Sequence, residues 1–159
     1  HSPYRTPQAL AGKTVIGLSP ASLVTIWGQH WLLRNGVAGV QMRYVSASDS
    51  VARLLLGGEA AAGMTSLVNF QNLRPEVRDG LRVLDESLPL AGRVYVLNRR
   101  HAGLRARIDA ALWASADTPD AKEYFARYEL AGYRRLDPRE LVAMEPYASE
   151  VRRLLKPGR

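Results

Sequence analysis

The 159-residue chain is 47% hydrophobic and 23% charged, which is ordinary for a globular protein and enough for one domain with a real core. It contains no cysteine, so disulfides, thiol nucleophiles and Cys-based metal sites are excluded. It also has no run of about 18 apolar residues that could form a membrane-spanning helix. The formal net charge of +7 is carried mostly by arginines spread along the chain, a diffuse positive field that favours anionic ligands rather than the clustered stripe that binds nucleic acid.

Residues 1–9 show no signal-peptide pattern and read as a tag remnant and linker. Leu10-Ala11-Gly12-Lys13 is a turn, and the β-branched run Thr14-Val15-Ile16-Gly17-Leu18 predicts a buried first strand. Ser19-Pro20-Ala21-Ser22 breaks it. Leu23, Ile26, Trp27, Trp31 and Leu32 then recur at helical spacing, predicting a helix over 23–35 that Gly36 ends in the left-handed cap position. Val40–Val45 predicts the second strand. Ser46-Ala47-Ser48-Asp49 offers capping oxygens to a second helix, which carries Val51, Leu54, Leu55 and Leu56 and stops at Gly57-Gly58. Ala60–Thr65 is small and apolar, as a tightly packed central strand would be. A helix over 66–73 stops before Pro75, and Leu81–Leu84 predicts a fourth strand.

Beyond Asp85 the pattern changes. Residues 87–92 read as a loop, Val94–Leu97 as a last strand, and helices follow over 104–115, 119–130, 138–144 and 146–155. Strands alternating with helices indicate an α/β fold with a mostly parallel sheet flanked by helices, followed by a helical C-terminal section. Residues 10–88 are expected to form a ligand-binding lobe. Residues 89–159 are expected to supply a hinge return strand and C-terminal helices that belong to, or replace, another lobe.

In an open parallel sheet ligands bind at the carboxyl ends of the strands. Three such ends carry hydroxyls here: Ser19, Ser22 and Thr25 after the first strand, Ser48 and Asp49 after the second, Thr65 and Ser66 after the third. Each leads into a helix whose first N–H groups lack an internal partner, so together they can cradle an anion. Helix capping alone accounts for any one of them; three clusters at neighbouring strand ends exceed what capping needs. No catalytic constellation accompanies them. His30 lies within the first helix beside Trp31, His101 follows two arginines in a turn, and Ser22 lacks the G-x-S-x-G elbow of a hydrolase. No phosphate-binding Gly-rich loop, H-E-x-x-H or other metal-ligand cluster is present, and no cofactor is expected. Trp27 and Trp31, four residues apart, read as core packing.

Several segments, in their order and spacing, resemble the type II periplasmic substrate-binding proteins, in particular the phosphate/phosphite/phosphonate ABC transporter binding-protein family. Leu10-Ala11-Gly12-Lys13-Thr14-Val15 resembles the opening of the second lobe of those proteins. Gly58-Glu59-Ala60-Ala61-Ala62 resembles the approach to their third strand. Leu81–Pro89 with Val94-Tyr95-Val96 resembles the return to the hinge, and Leu130-Ala131-Gly132-Tyr133 followed by Asp137–Leu141 resembles their close. The resemblance covers roughly residues 8 to 156. It differs at the binding segments: Ser22-Leu23-Val24-Thr25 stands where the family carries S-T-S-G, and Ala47-Ser48-Asp49 where it often carries Ser-His-Asp.

The resemblance implies a periplasmic, non-enzymatic solute-binding component that holds a small anionic, phosphate- or phosphonate-like ligand in an interlobe cleft. Ser19, Ser22, Thr25, Ser48, Asp49, Thr65 and Ser66 would make the contacts. The partners it implies are the ligand and an ABC transporter permease or membrane sensor, with no nucleic acid. Because the resemblance begins at the second lobe, Val94–Leu97 would present a strand edge suited to pairing with a second copy through the C-terminal section. Two other roles share the architecture: an extracytoplasmic sensing domain of a membrane signalling protein, and the effector domain of a LysR-type regulator. A small hydrolase using Ser22 is the enzymatic alternative.

Overall fold

The computed structural model describes residues 2–88, 94–127 and 130–155. Two compact units are present: His1–Pro89 with Met144–Arg159, and Leu90–Ala143. In chain order the strands are β1 (Thr14–Gly17), β2 (Gln41–Tyr44) and β3 (Ala62–Gly63). The helices are α1 (Leu23–Arg34), α2 (Ser48–Leu56), α3 (Leu67–Gln71), α4 (Pro75–Asp79), α5 (Arg105–Ala116), α6 (Pro119–Arg127), α7 (Pro138–Ala143) and α8 (Glu145–Leu155).

The first unit is an α/β layer structure around a parallel sheet of order β2-β1-β3. β1 is central because both of its faces are apolar: Val15 and Ile16 are fully buried on opposite sides of the pleat. The register places Val15 between Met42 and Ala62, and Ile16 between Arg43 and Gly63. Each side of β1 has its own cluster. Val15 packs with Leu10, Met64 and the α1 residues Trp31 and Leu32; Ile16 packs with Val51 and Leu54 of α2. α1 and α2 therefore cover opposite faces of the sheet.

The small residues of β3 have a packing reason. A Cβ at Gly63 would lie 2.4 Å from the Val51 Cγ1, and one at Gly28 of α1 would lie 2.3 Å from the Met64 sulfur. The helices sit too close to the sheet for larger side chains.

Two glycines end helices as the sequence predicts. Gly36 (φ 66°) follows α1 and Gly58 (φ 75°) follows α2. In each case a six-to-one hydrogen bond closes the turn, Val37 N to Leu32 O and Glu59 N to Leu54 O, both 3.0 Å. This left-handed closure is disfavoured for any residue with a Cβ. The helix before Pro75 ends at Gln71, as expected, and Pro75 itself opens a further helix, α4, where a missing N–H costs nothing.

Residues near the N-terminus join this unit: Tyr4 packs on the Val15 cluster, and Leu10 is fully buried. α8 packs on α1, with the Tyr147 ring stacked on His30 at 5.5 Å.

Two expected strands do not form among the described residues. Leu81–Leu84 and Val94–Leu97 have no ladder partners. A strand exists only where a neighbouring edge takes its N–H and C=O groups. β3 is only two residues long, shorter than the 60–65 run suggested, and it lies at an edge of the three-stranded sheet rather than at its centre, since β1 is the strand with apolar residues on both faces. Leu81–Leu84 is instead held by side chains: Leu84 packs on the Val15 cluster, and the Arg82 guanidinium donates to the Ser2 carbonyl at 2.9 Å. Val94–Leu97 belongs to the second unit, whose described elements are helical, and among the described residues it has no strand partner.

In that second unit no described side chain is buried. Its cohesion comes from aromatic edges. Tyr133 meets the rings of Tyr95, Phe125 and Trp113 edge-on at 5.7, 5.2 and 6.5 Å. Arg135 lies over Trp113 and pairs with Asp109 at 3.1 Å.

Candidate functional site

A parallel sheet points all its carboxyl ends the same way. The segments following β1, β2 and β3 therefore gather at one edge of the first unit, as the sequence predicts. α1 leaves on the Val15 face and α2 on the Ile16 face, so the connections from adjacent β1 and β2 diverge. That divergence is the arrangement that opens a binding crevice in α/β sheets.

The seven predicted residues occupy different situations at this edge. Ser19 is exposed and makes a tight turn, its Oγ accepting from the Ala21 N–H at 3.3 Å and its carbonyl from the Ser22 N–H at 2.9 Å. Ser22 is half-buried and has extended N-cap backbone at α1 (φ −69°, ψ 133°), but its hydroxyl does not cap the helix. The first helical bond runs from Ile26 N to Ser22 O at 2.9 Å, so the three N–H groups before it have no helical acceptor. Thr25 is 0% exposed. Its Oγ1 accepts from the Leu18 N–H at 2.9 Å, and its side chain lies against Gly17. It anchors the end of β1 from beneath and presents no surface to a solute.

At the second strand end Ser48 and Asp49 open α2, where Ala47 is the N-cap without a side-chain bond. Asp49 is exposed in the first turn, a favourable place for a carboxylate. Ser48 is half-buried, and its Oγ accepts from the Asn69 Nδ2 at 2.7 Å. At the third strand end Thr65 is half-buried, and Ser66 caps α3 by accepting from the Asn69 N–H at 3.2 Å.

Asn69 thus joins two of the three predicted clusters. Sequence reading missed it; the only local signal was its place three residues after a capping serine. Tyr44, the last residue of β2, accepts from the Gln29 side chain of α1 at 3.2 Å, which ties the same strand end to α1.

The remaining sequence candidates lie elsewhere. His30 is stacked under α8. His101 is exposed and accepts from the Arg100 Nε at 3.0 Å. Trp27 and Trp31 stack at 6.5 Å, with Trp31 buried in the Val15 cluster. The Trp31 indole N–H donates to Asp85, which also accepts from the Glu86 N–H. The indole, that backbone N–H and the nearby Arg34 hold the Asp85 carboxyl below the usual aspartate range. Among the described residues no group of three or more potential ligands could hold a metal ion. No helix there is long and apolar enough to cross a membrane.

Parallel strands with helices on both faces fit a periplasmic-binding-like α/β fold. The chain belongs to the phosphonate-binding periplasmic substrate-binding proteins of ABC transporters: the family model described as "ABC transporter, phosphonate, periplasmic substrate-binding protein" matches residues 1–141. No curated protein and no solved structure matches. The family is one of extracytoplasmic solute-binding transport proteins that work with ABC permeases.

Proposed function

We propose that this chain captures a small oxyanion of the phosphate or phosphonate class by reversible hydrogen bonding, without chemistry, and presents it to an ABC permease from the periplasm. The observation that carries the reading is the convergence of three strand ends on one edge, with two of their serines linked through Asn69. Ser19 and Ser22 with the start of α1, Ser48 and Asp49 with the start of α2, and Thr65 and Ser66 are the contacts. Thr25 supports them by fixing the end of β1. Neutral hydroxyl and N–H donors bind an oxyanion well in a partly desolvated crevice, because hydrogen bonds to a charged acceptor are the strong ones. Asp49 supplies an acceptor for a ligand O–H or N–H. In this reading another lobe of the protein closes over the edge when the solute is bound.

Isothermal titration with phosphate, phosphite, methylphosphonate, sulfate and acetate tests it. Micromolar or tighter binding of a phosphorus oxyanion is expected, weakened at least tenfold in Ser22→Ala/Ser48→Ala, since each hydrogen bond to a charged group contributes about 1.5–3 kcal/mol. Absence of binding to all five, or binding indifferent to the double substitution, would sink the reading.

A further inference from the structure

A serine hydroxyl has one proton to give and two lone pairs to accept with. At this edge two serines accept from the same residue: the Asn69 side-chain amide donates to Ser48 Oγ at 2.7 Å, and the Asn69 backbone N–H donates to Ser66 Oγ at 3.2 Å. An amide NH2 can only donate, so in this contact Ser48 can only accept, and its own proton is left to point elsewhere. The same holds for Ser66 under the backbone N–H. The Asn69 side chain thus engages one lone pair of Ser48, while its backbone N–H, which any residue but proline would supply, engages one of Ser66; each serine keeps its proton and a second lone pair.

We propose that Asn69 is a positioning residue whose side chain occupies one lone pair of Ser48 and so biases that hydroxyl toward donating, so that this end of the site favours an acceptor-only oxyanion oxygen. The inference rests on the functional reading above and adds to it a residue that does not touch the ligand. A serine free to rotate could equally accept from a ligand amine or amide. With one of its two lone pairs already engaged, it is biased toward donating to an oxyanion, and its proton is turned away from Asn69 before the ligand arrives. The side-chain contact with Ser48 is also the part that can be removed alone, because Asn69→Ala keeps the backbone N–H that Ser66 uses.

The test is a double-substitution cycle read by titration of the full chain with phosphate and with methylphosphonate, with apo thermal midpoints measured in parallel. Asn69→Ala is expected to weaken binding roughly tenfold, within the range of a hydrogen bond to a charged group. Ser48→Ala/Asn69→Ala should bind no more weakly than Ser48→Ala alone, because Asn69's side chain acts through that hydroxyl. Asn69→Asp introduces an acid into the first turn of α3, which has none, so its apo midpoint should match or exceed wild type. Its carboxylate accepts a hydrogen bond from the Ser48 hydroxyl and so turns that proton away from the ligand, so its binding should fall further than that of Asn69→Ala. Additive losses in the cycle, or wild-type affinity in either Asn69 variant, would overturn the positioning role while leaving the functional reading intact. A wild-type chain that binds neither anion would remove both.

Discussion

Replacing Thr25 by valine separates a support of the site from a contact with the ligand. Valine has nearly the shape of threonine and a similar helix propensity, so the change exchanges Oγ1 for a methyl and little else. In the native chain that oxygen, wholly buried, accepts the Leu18 N–H at 2.9 Å. Without it the donor at the end of β1 has no acceptor, and leaving a buried donor unsatisfied costs about 1–3 kcal/mol. For a chain of this length each kcal/mol lowers the midpoint by about 2–4 °C, so a fall of roughly 2–12 °C is expected. Thr25→Ser keeps the oxygen and removes only the methyl packed near Gly17, a loss of about 1 kcal/mol. Urea unfolding followed through Trp27 and Trp31, with amide exchange at Leu18, reads both effects. A Thr25→Val variant within about 0.5 kcal/mol of wild type, with unchanged Leu18 protection, would refute the reasoning. An unchanged stability with weakened oxyanion binding would instead put Thr25 on the ligand.

Other consequences follow from the packing and the charges. Gly63→Ala should destabilise by about 1–3 kcal/mol through overpacking, since its Cβ meets Val51 at 2.4 Å; adding Val51→Ala should recover part of that in the same denaturation assay, and no recovery would contradict the close α2–β3 contact. Gly36→Ala should cost about 1–2 kcal/mol, because φ 66° is left-handed; an unchanged midpoint would argue against the closure seen at the end of α1. Asp85 has its carboxyl pKa lowered in the fold by the Trp31 indole, the Glu86 N–H and Arg34. A depressed folded-state pKa gives stability that is present above the unfolded aspartate value and is lost as pH falls through the folded one. Asp85→Ala should therefore be less stable than wild type at pH 7, and the two curves should converge as pH drops below about 4. A constant gap from pH 7 to pH 2.5 would exclude this linkage.

Much of the first unit was legible residue by residue. The Thr14–Leu18 run, the helical spacing of Leu23 to Leu32 and the two glycine stops identified β1, α1 and α2 to within a residue or two, because hydrophobic period and φ sign are local properties. The hydroxyls at the strand ends were legible too, since parallel direction follows from the alternation of elements, whereas the order β2-β1-β3 was not. Asn69 was not, because its partner Ser48 is 21 residues away. Nor was the inward turn of Thr25, which depends on how closely α1 packs on Gly17.

The amino-acid order by itself determined the alternating α/β pattern, the absence of cysteine chemistry, and which residue types stand at the strand ends. Tertiary structure alone decided which of those residues face solvent and which are spent on the fold. It also decided that Leu81–Leu84 and Val94–Leu97 find no strand partner among the described residues. The reason is the same in each case: a strand needs a neighbour's backbone, and a hydroxyl's role depends on which group already holds its lone pair. Neither neighbour is written in the local sequence.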